Sequence, residues 1–494
     1  MENTDSEIVS VTVIEEVTLD TSNNDEVQLE TKVSEEITLD TPSHDDVQLQ
    51  TEVSEEIPLD TPSNVDVLLQ TEVSEEITLD TPNSDDVKQQ TEVSEVDLCT
   101  DDVGDANQPN GSEVLPSYNL CTRPLQLCGA WNAFGENFTK GCKWSPDGSC
   151  ILTNSDDNVL RLFNLPPHFY QMPTDWDEVE ELTPVLCCSE GGLLYDYAWY
   201  PGMSSQVPAS CCFASTSCGS PVHLWDAYSG ELRCSYRSYN HLDEPVSAYS
   251  IAFDTHGDKL YCGFNKMVRV FDVCRPGRTF EERPTNLKKM GQPGYISCIA
   301  FGAPGMYAAG SYCKSVAMYS ISDGQLQFIM YGHQGGVTHL KFSPDGTKLY
   351  SGGRKDYSIL CWDIRNLGNV LYRMQRTATT NQRMYFDISR CGNYMISGNT
   401  NGIVTVWDLR TPPFYLDDLG AVMKPSLFFK DHKDCVNGVG WHPTLPMYAT
   451  TSGERKTCDL AGDNSDKFFV KPAKDKSDNS LRIWWVPQEE SADM

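Results

Sequence analysis

"YGHQGGVTHLKFSPDGTKLYSGGRKDYSILCWDIR" occupies residues 331–365. An apolar run meets Ser343-Pro344-Asp345-Gly346, a turn. A second apolar run ends in Ser351-Gly352-Gly353, and a third ends at Trp362-Asp363. Strand, turn, strand, turn, strand is the reading that residue types of this kind support. The same form recurs in "GCKWSPDGSCILTNS" (141–155), "SIAFDTHGDKLYCGF" (250–264) and "YFDISRCGNYMISGN" (385–399). In each, a glycine (Gly148, Gly257, Gly346 or Gly392) falls at the turn position that tolerates positive φ.

The period fixes the architecture. Strand-like runs end in an aromatic and a further residue at Phe163, Trp225, Phe271, Tyr319, Trp362, Trp407 and Trp484, spaced 62, 46, 48, 43, 45 and 77 residues apart. Four of these intervals are close to the blade length of a propeller built from four-stranded units. The two long ones contain insertions, "PPHFYQMPTDWDEVEEL" (166–182) and a polar, charged stretch over 454–479. A four-stranded unit leaves faces and edges uncovered, so the units must close into a ring. The seventh unit, 436–453 with 481–485, lacks a fourth strand, and "LQLCGAWNAF" (125–134) ahead of the first unit is positioned to supply it. The expected fold is an all-β, seven-bladed WD40 β-propeller over 118–487. A short C-terminal tail, 488–494, follows it.

Residues 1–117 are of another kind. The first 120 residues hold 32 Asp and Glu against Lys32 and Lys88, and the first aromatic in the chain is Tyr118. Such a composition buries too little apolar surface to offset its ordering entropy, so a disordered acidic tail is expected. It repeats with period 20, as in "TEVSEEIPLDTPSNVDVLLQ" (51–70). Thr41, Thr61 and Thr81 precede prolines and are candidate phosphorylation sites. The remaining 374 residues carry 39 acidic and 35 basic side chains, close to balance.

No apolar signal-peptide core or membrane-length apolar run is present, so the 18 Cys beyond residue 120 read as small buried hydrophobes. No C-x-x-C occurs, and no metal or other cofactor is expected. G-x-S-x-G, Walker and H-E-x-x-H motifs are absent and no two of the nine His lie four apart, so an enzyme is not expected. Asp356 and Asp157 each stand six residues before their blade's closing aromatic, Trp362 and Phe163. There they can hold a tight turn, with His333 joining Asp356 in a buried network. Trp407 takes the place of Trp362 one unit later.

The loops before each first strand and between second and third strands share one face. They carry Lys140, Lys266, Lys314, Arg354, Lys355, Arg383, Lys433, Arg455 and Lys456, with Tyr295 and Tyr312 nearby. Basic groups interleaved with aromatics suit single-stranded or looped RNA, whose bases stack on rings. The other reading is that these are ordinary solvating side chains, or that Arg354 and Lys355 support the Asp356 turn. A protein-only scaffold is a further alternative. "CWDIR" (361–365) and "VWDLR" (406–410) fit the W-D-x-R pattern of substrate receptors of cullin-RING ubiquitin ligases.

"SPVHLWDAYSGELRCSYRSYNHLDE" (220–244) is more distinctive than a W-D pair. With "LCGAWNAF" (127–134), "HQGGVTHLKFSPDG" (333–346), "TTNQRMYFDIS" (379–389) and "KDCVNGVGWHPTLPMYATTSG" (433–453), it resembles the telomerase Cajal-body WD-repeat family from about 118 to 487. The resemblance implies a nuclear RNA-binding adaptor. It would recognise the Cajal-body box of small Cajal-body RNAs and telomerase RNA, and carry them to Cajal bodies and telomeres. It also implies a role as a DNA-repair scaffold. The implied partners are H/ACA RNP proteins including dyskerin, telomerase, coilin, the survival-of-motor-neuron protein and a cytosolic chaperonin for folding. The period-20 tail has no counterpart in that pattern. Cys218-Gly219 replaces the charged pair more usual at that turn.

Overall fold

A computed structural model describes residues 125–133, 137–171, 176, 178–366, 368–417, 420–455 and 478–487. The repeat tail with Thr41, Thr61 and Thr81, the segment 456–477 with Lys456, and residues 488–494 lie outside them. Seven antiparallel blades form, five of four strands, one of five and one of six. Blade 5 follows the opening stretch directly: Val337–Phe342, Lys348–Gly353, Ser358–Asp363 and Val370–Gln375. Leu349, Ile359 and Trp362 are buried from both sides, so period-2 alternation gives way to nearly continuous apolar strands.

Ring closure occurs where the unfinished seventh unit requires it. Gln126–Asn132 pairs antiparallel with Ser480–Trp485 and becomes the fourth strand of blade 7. The first insertion then folds over that strand. Glu180–Glu181 pairs with it in parallel, and Phe169 and Leu182 bury against Cys128, Leu481 and Trp485. An otherwise open edge is thereby covered. A second insertion adds the hairpin Tyr415–Asp417 and Gly420–Met423 to the outer strand of blade 5. Of the sixteen described Cys, ten are buried, as expected of small hydrophobes, whereas Cys187, Cys218, Cys274 and Cys313 are exposed.

The junction of blades 7 and 1 is also held by side chains. Trp144 Nε1 donates to the Gly440 carbonyl (3.1 Å), and Thr139 Oγ1 to that of Ser452 (2.7 Å). His442 is fully buried. Its Nδ1 accepts the amides of Thr444 and Leu445 (3.1 and 2.8 Å), so Nε2 carries the proton and donates to the Gly148 carbonyl (2.9 Å). Burial lowers its pKa to about 4, against the smaller upward pull of Gly148. The unfolded chain binds this proton more readily, so the contribution is complete above the ordinary value of 6.5 and disappears as pH falls to 4. His442→Gln should therefore flatten the acid side of the stability curve. The wild type is expected to lose about 3 kcal/mol more than the variant between these limits, measurable by urea denaturation at stepped pH.

Candidate nucleic-acid interface

Blade 5 carries the most complete of the internal networks. Trp362 Nε1 donates to Ser351 Oγ (2.8 Å), Ser351 bonds His333 Nε2 (2.7 Å), and His333 Nδ1 bonds Asp356 Oδ2 (2.6 Å). Asp356 also accepts the amides of Gln334 and Ser358, at 3.1 Å each. Burial works to raise its pKa, but His333 and these amides outweigh it and hold the carboxyl below its ordinary value. Asp157 does a similar job in blade 1, where Ser155 Oγ (2.7 Å) and Arg161 bond it. Trp407 is wholly buried, and its ring nitrogen has no hydrogen-bond partner among the described residues.

Two related networks escaped the sequence reading. In blade 7, Trp484 and His432 share Thr450 (3.0 and 2.7 Å), with Asp478 beside His432. Asp478 stands six residues before Trp484, the spacing of Asp356 and Trp362, but the long insertion hides it. In blade 2 the acid has moved to Glu190, which bonds His223 (3.0 Å), Ser217 (2.9 Å) and Ser215. This explains how a turn with Gly219 in place of a carboxylate is held.

The turns joining second and third strands create the candidate site. Among the described residues, seven other than glycine have positive φ, and five of them are lysines: Lys266 (54°), Lys288 (51°), Lys289 (65°), Lys314 (66°) and Lys355 (48°). Lys266, Lys314 and Lys355 occupy corresponding turns of blades 3, 4 and 5. Blades 2 and 6 have Gly219 and Gly402 there, and blade 1 has Asn158. The left-handed region costs a residue with a Cβ roughly 1 kcal/mol or more, and such strain concentrates at functional sites. Lys288 and Lys289 form the tip of a small hairpin, Asn286–Leu287 with Met290–Gly291, in the adjoining connection.

Tyrosines line the same blades. Tyr195 packs on Tyr249 with ring centres 5.1 Å apart, and Tyr249 on Tyr295 at 4.5 Å. The amide of Tyr312 bonds the Tyr295 carbonyl (3.1 Å), and Arg354 lies over the Tyr312 ring at 4.4 Å. A path of four rings and one guanidinium thus runs from blade 2 to blade 5 beside the three lysines. Tyr195 and Tyr249 were not among the sequence candidates. The signal was present for one of them, since Tyr249 and Tyr295 each immediately precede the first strand of their blade.

The other basic candidates lie elsewhere. Arg383 turns into the centre of the ring, where it bonds Asp196 (2.8 Å) and the Ser297 carbonyl (2.7 Å). Lys143 shares Asp196 at 3.3 Å. Burial raises the Asp196 pKa, but Arg383 and Lys143 outweigh it and keep the carboxyl below its ordinary value. Arg455 and Lys140 both pair with Asp156, at 2.8 and 3.0 Å. Lys433 is exposed, its amide bound to Asp478 (2.9 Å), on the blade 7 side. The two W-D-x-R arginines fold back: Arg365 pairs with Asp363 (2.9 Å) and Arg410 with Asp408 (2.6 Å).

Residues 136–164 and 324–363 match the family of the WD domain, G-beta repeat. Over 379 residues the chain is 47% identical to "Telomerase Cajal body protein 1" of Mesocricetus auratus, spanning 75% of this chain and 70% of that protein. The chain belongs to the telomerase Cajal body protein 1 family. Its similarity to the Homo sapiens member is also 47%, over 380 residues, 75% of this chain and 68% of the other. The "Telomerase Cajal body protein 1 homolog" of Drosophila melanogaster is 35% identical over 349 residues, 68% of this chain and 61% of that one. Membership accounts for the distinctive blade phrases, and the propeller is the fold that carries them.

Proposed function

We propose that the chain is an RNA-binding adaptor, a scaffold and not a catalyst, of Cajal-body and telomerase RNPs. The single observation that carries this is the row of left-handed lysines, Lys266, Lys314 and Lys355, beside the rings of Tyr195, Tyr249, Tyr295 and Tyr312. Lysines meet phosphates without regard to sequence, and exposed rings stack unpaired bases for ~1–3 kcal/mol each. Single-stranded loops offer both together. Arg354 completes the row, while Arg383 acts through the shape of the ring centre. The relatives' names carry telomerase and the Cajal body, and the class of RNA in this reading is the one with a Cajal-body box, small Cajal-body RNAs and telomerase RNA.

In this reading the working unit is 118–487 and residues 1–117 are an acidic extension. The remaining faces meet H/ACA RNP proteins including dyskerin, telomerase, coilin and the survival-of-motor-neuron protein. A cytosolic chaperonin assists folding of the slow, non-local sheets before entry to the nucleus. The chain then serves telomerase assembly and telomere maintenance in Cajal bodies and at telomeres, with a DNA-repair scaffold role besides.

Crosslinking in cells, stringent purification and sequencing of the retained RNA is the direct test. H/ACA-type RNAs crosslinked within a short loop are expected. Background RNA alone, with protein partners that survive RNase, would sink the adaptor reading and favour a protein-only scaffold.

A further inference from the structure

A cleft of about 510 Å³ opens between blades 5 and 6, immediately beyond the Lys355 turn. Its volume falls in the range of small-ligand sites. Gln334, Gln375 and Asn401 line it. The side-chain amides of Gln334 and Gln375 make no hydrogen bond within the described residues, and Asn401 uses only its carbonyl, accepting the Ile403 amide (3.2 Å). Two rings stand at the lips, Tyr357 at 52% and Phe428 at 74% exposure.

Arg376 also lines the cleft and is 4% exposed. Among the described residues its guanidinium hydrogen-bonds only neutral groups, the carbonyls of Met384 and Gly353 (3.2 Å each) and Ser397 Oγ (3.4 Å), and its Nε has no partner there. Burial lowers its pKa to about 10, offset in part by Asp356.

We propose that this cleft takes one nucleotide of the bound RNA, its base edge read by Gln334, Gln375 and Asn401 and its ring held by Tyr357 and Phe428. The inference rests on the RNA-binding reading above and adds base selection to it. Carboxamides carry a donor and an acceptor side by side, the pattern that pairs with a base edge. Lysines and stacking rings do not distinguish bases well. The blade 3–5 row therefore supplies affinity and the cleft supplies choice.

The test uses the full chain and 10-nucleotide RNAs of A, C or U, with an alternating G/U strand, followed by fluorescence anisotropy. The wild type is expected to prefer one of them by about tenfold or more. Gln334→Ala with Gln375→Ala should reduce that preference below about twofold while leaving the weakest RNA bound within twofold. Phe428→Ala should weaken chiefly the preferred RNA, whereas Lys355→Glu should weaken all four alike. An undiminished preference in the double glutamine variant would overturn the cleft assignment and leave the RNA-binding reading standing. Failure of the wild type to bind any of the four would overturn both. Saturable binding of a peptide of residues 51–70, lost in the same double variant, would give the cleft to an acidic peptide and overturn the proposal.

Discussion

Changing Lys266, Lys314 and Lys355 together to glycine is expected to raise the melting temperature while weakening single-stranded RNA binding at least about a hundredfold. The two effects have separate physical origins. Each lysine holds φ between 48° and 66°, where a Cβ is unfavourable and glycine is not. Relief of that strain, less the extra freedom glycine has when unfolded, leaves a few tenths to about 1 kcal/mol per site. Loss of three phosphate contacts acts in the other direction on binding. The slope of log K against log salt should become shallower by about 2, from roughly 0.7 per contact on a single strand. Triple replacement by glutamate keeps the strain and adds repulsion, so it should weaken binding further with little gain in stability. Anisotropy at stepped salt and thermal melts of the same preparations read both quantities. A more stable triple glycine variant with undiminished RNA affinity would show that the strained lysines serve something else.

Cutting the blade 5 network at His333 is expected to cost about 3 kcal/mol of stability, because it leaves Asp356 buried with its strongest partner gone. His333 and Asp356 side chains are 1% and 4% exposed, so water does not replace the lost bond. Asp356→Ala should cost a similar amount, since it also strands the amides of Gln334 and Ser358. The double variant should be little worse than either single one, the mark of a coupled pair. Trp362→Phe removes only the outermost bond and should cost about 1 kcal/mol. Urea denaturation measures all four. The Asp356 carboxyl is held below its ordinary pKa of 3.8, so its contribution is present above that value and disappears as pH falls through the folded-state pKa. The curves of wild type and Asp356→Ala should converge on the acid side. Near-additive losses in the double variant would show that His333 and Asp356 stabilise the blade separately. The network also fixes the turn that carries Arg354 and Lys355, so the same variants should weaken RNA binding by several-fold.

Local chemistry made much of this molecule legible in the chain itself. Strand runs, turn glycines and the spacing of closing aromatics depend on neighbours a few residues apart. They were sufficient to number the blades, to assign residues 125–134 as the closing segment, of which Gln126–Asn132 forms the strand, and to place Asp356 in its turn. The W-D-x-R arginines are equally local, each returning to an aspartate two residues away. What the sequence could not carry is where separate blades converge. Arg383 reaches Asp196 across 187 residues because the first strands face one axis, and its spacing from Tyr385 gives no hint of that. The tyrosine path joins residues 195, 249 and 295 only because rings on neighbouring blades come within 4.5–5.1 Å, and a backbone hydrogen bond within blade 4 extends it to Tyr312. Glu190 could replace a turn aspartate in blade 2 because it enters from the preceding connection, a substitution in space and not in position. The left-handed lysines carry no sequence mark at all, since lysine is an ordinary turn residue until the backbone around it is fixed. Composition and period determined the propeller. The left-handed backbone and tyrosine neighbours of the cationic row, the ring-centre ion pairs and the cleft between blades 5 and 6 were decided only by closing it, because a side chain's partners around a ring are set by which strands meet and not by which residues are adjacent in the chain.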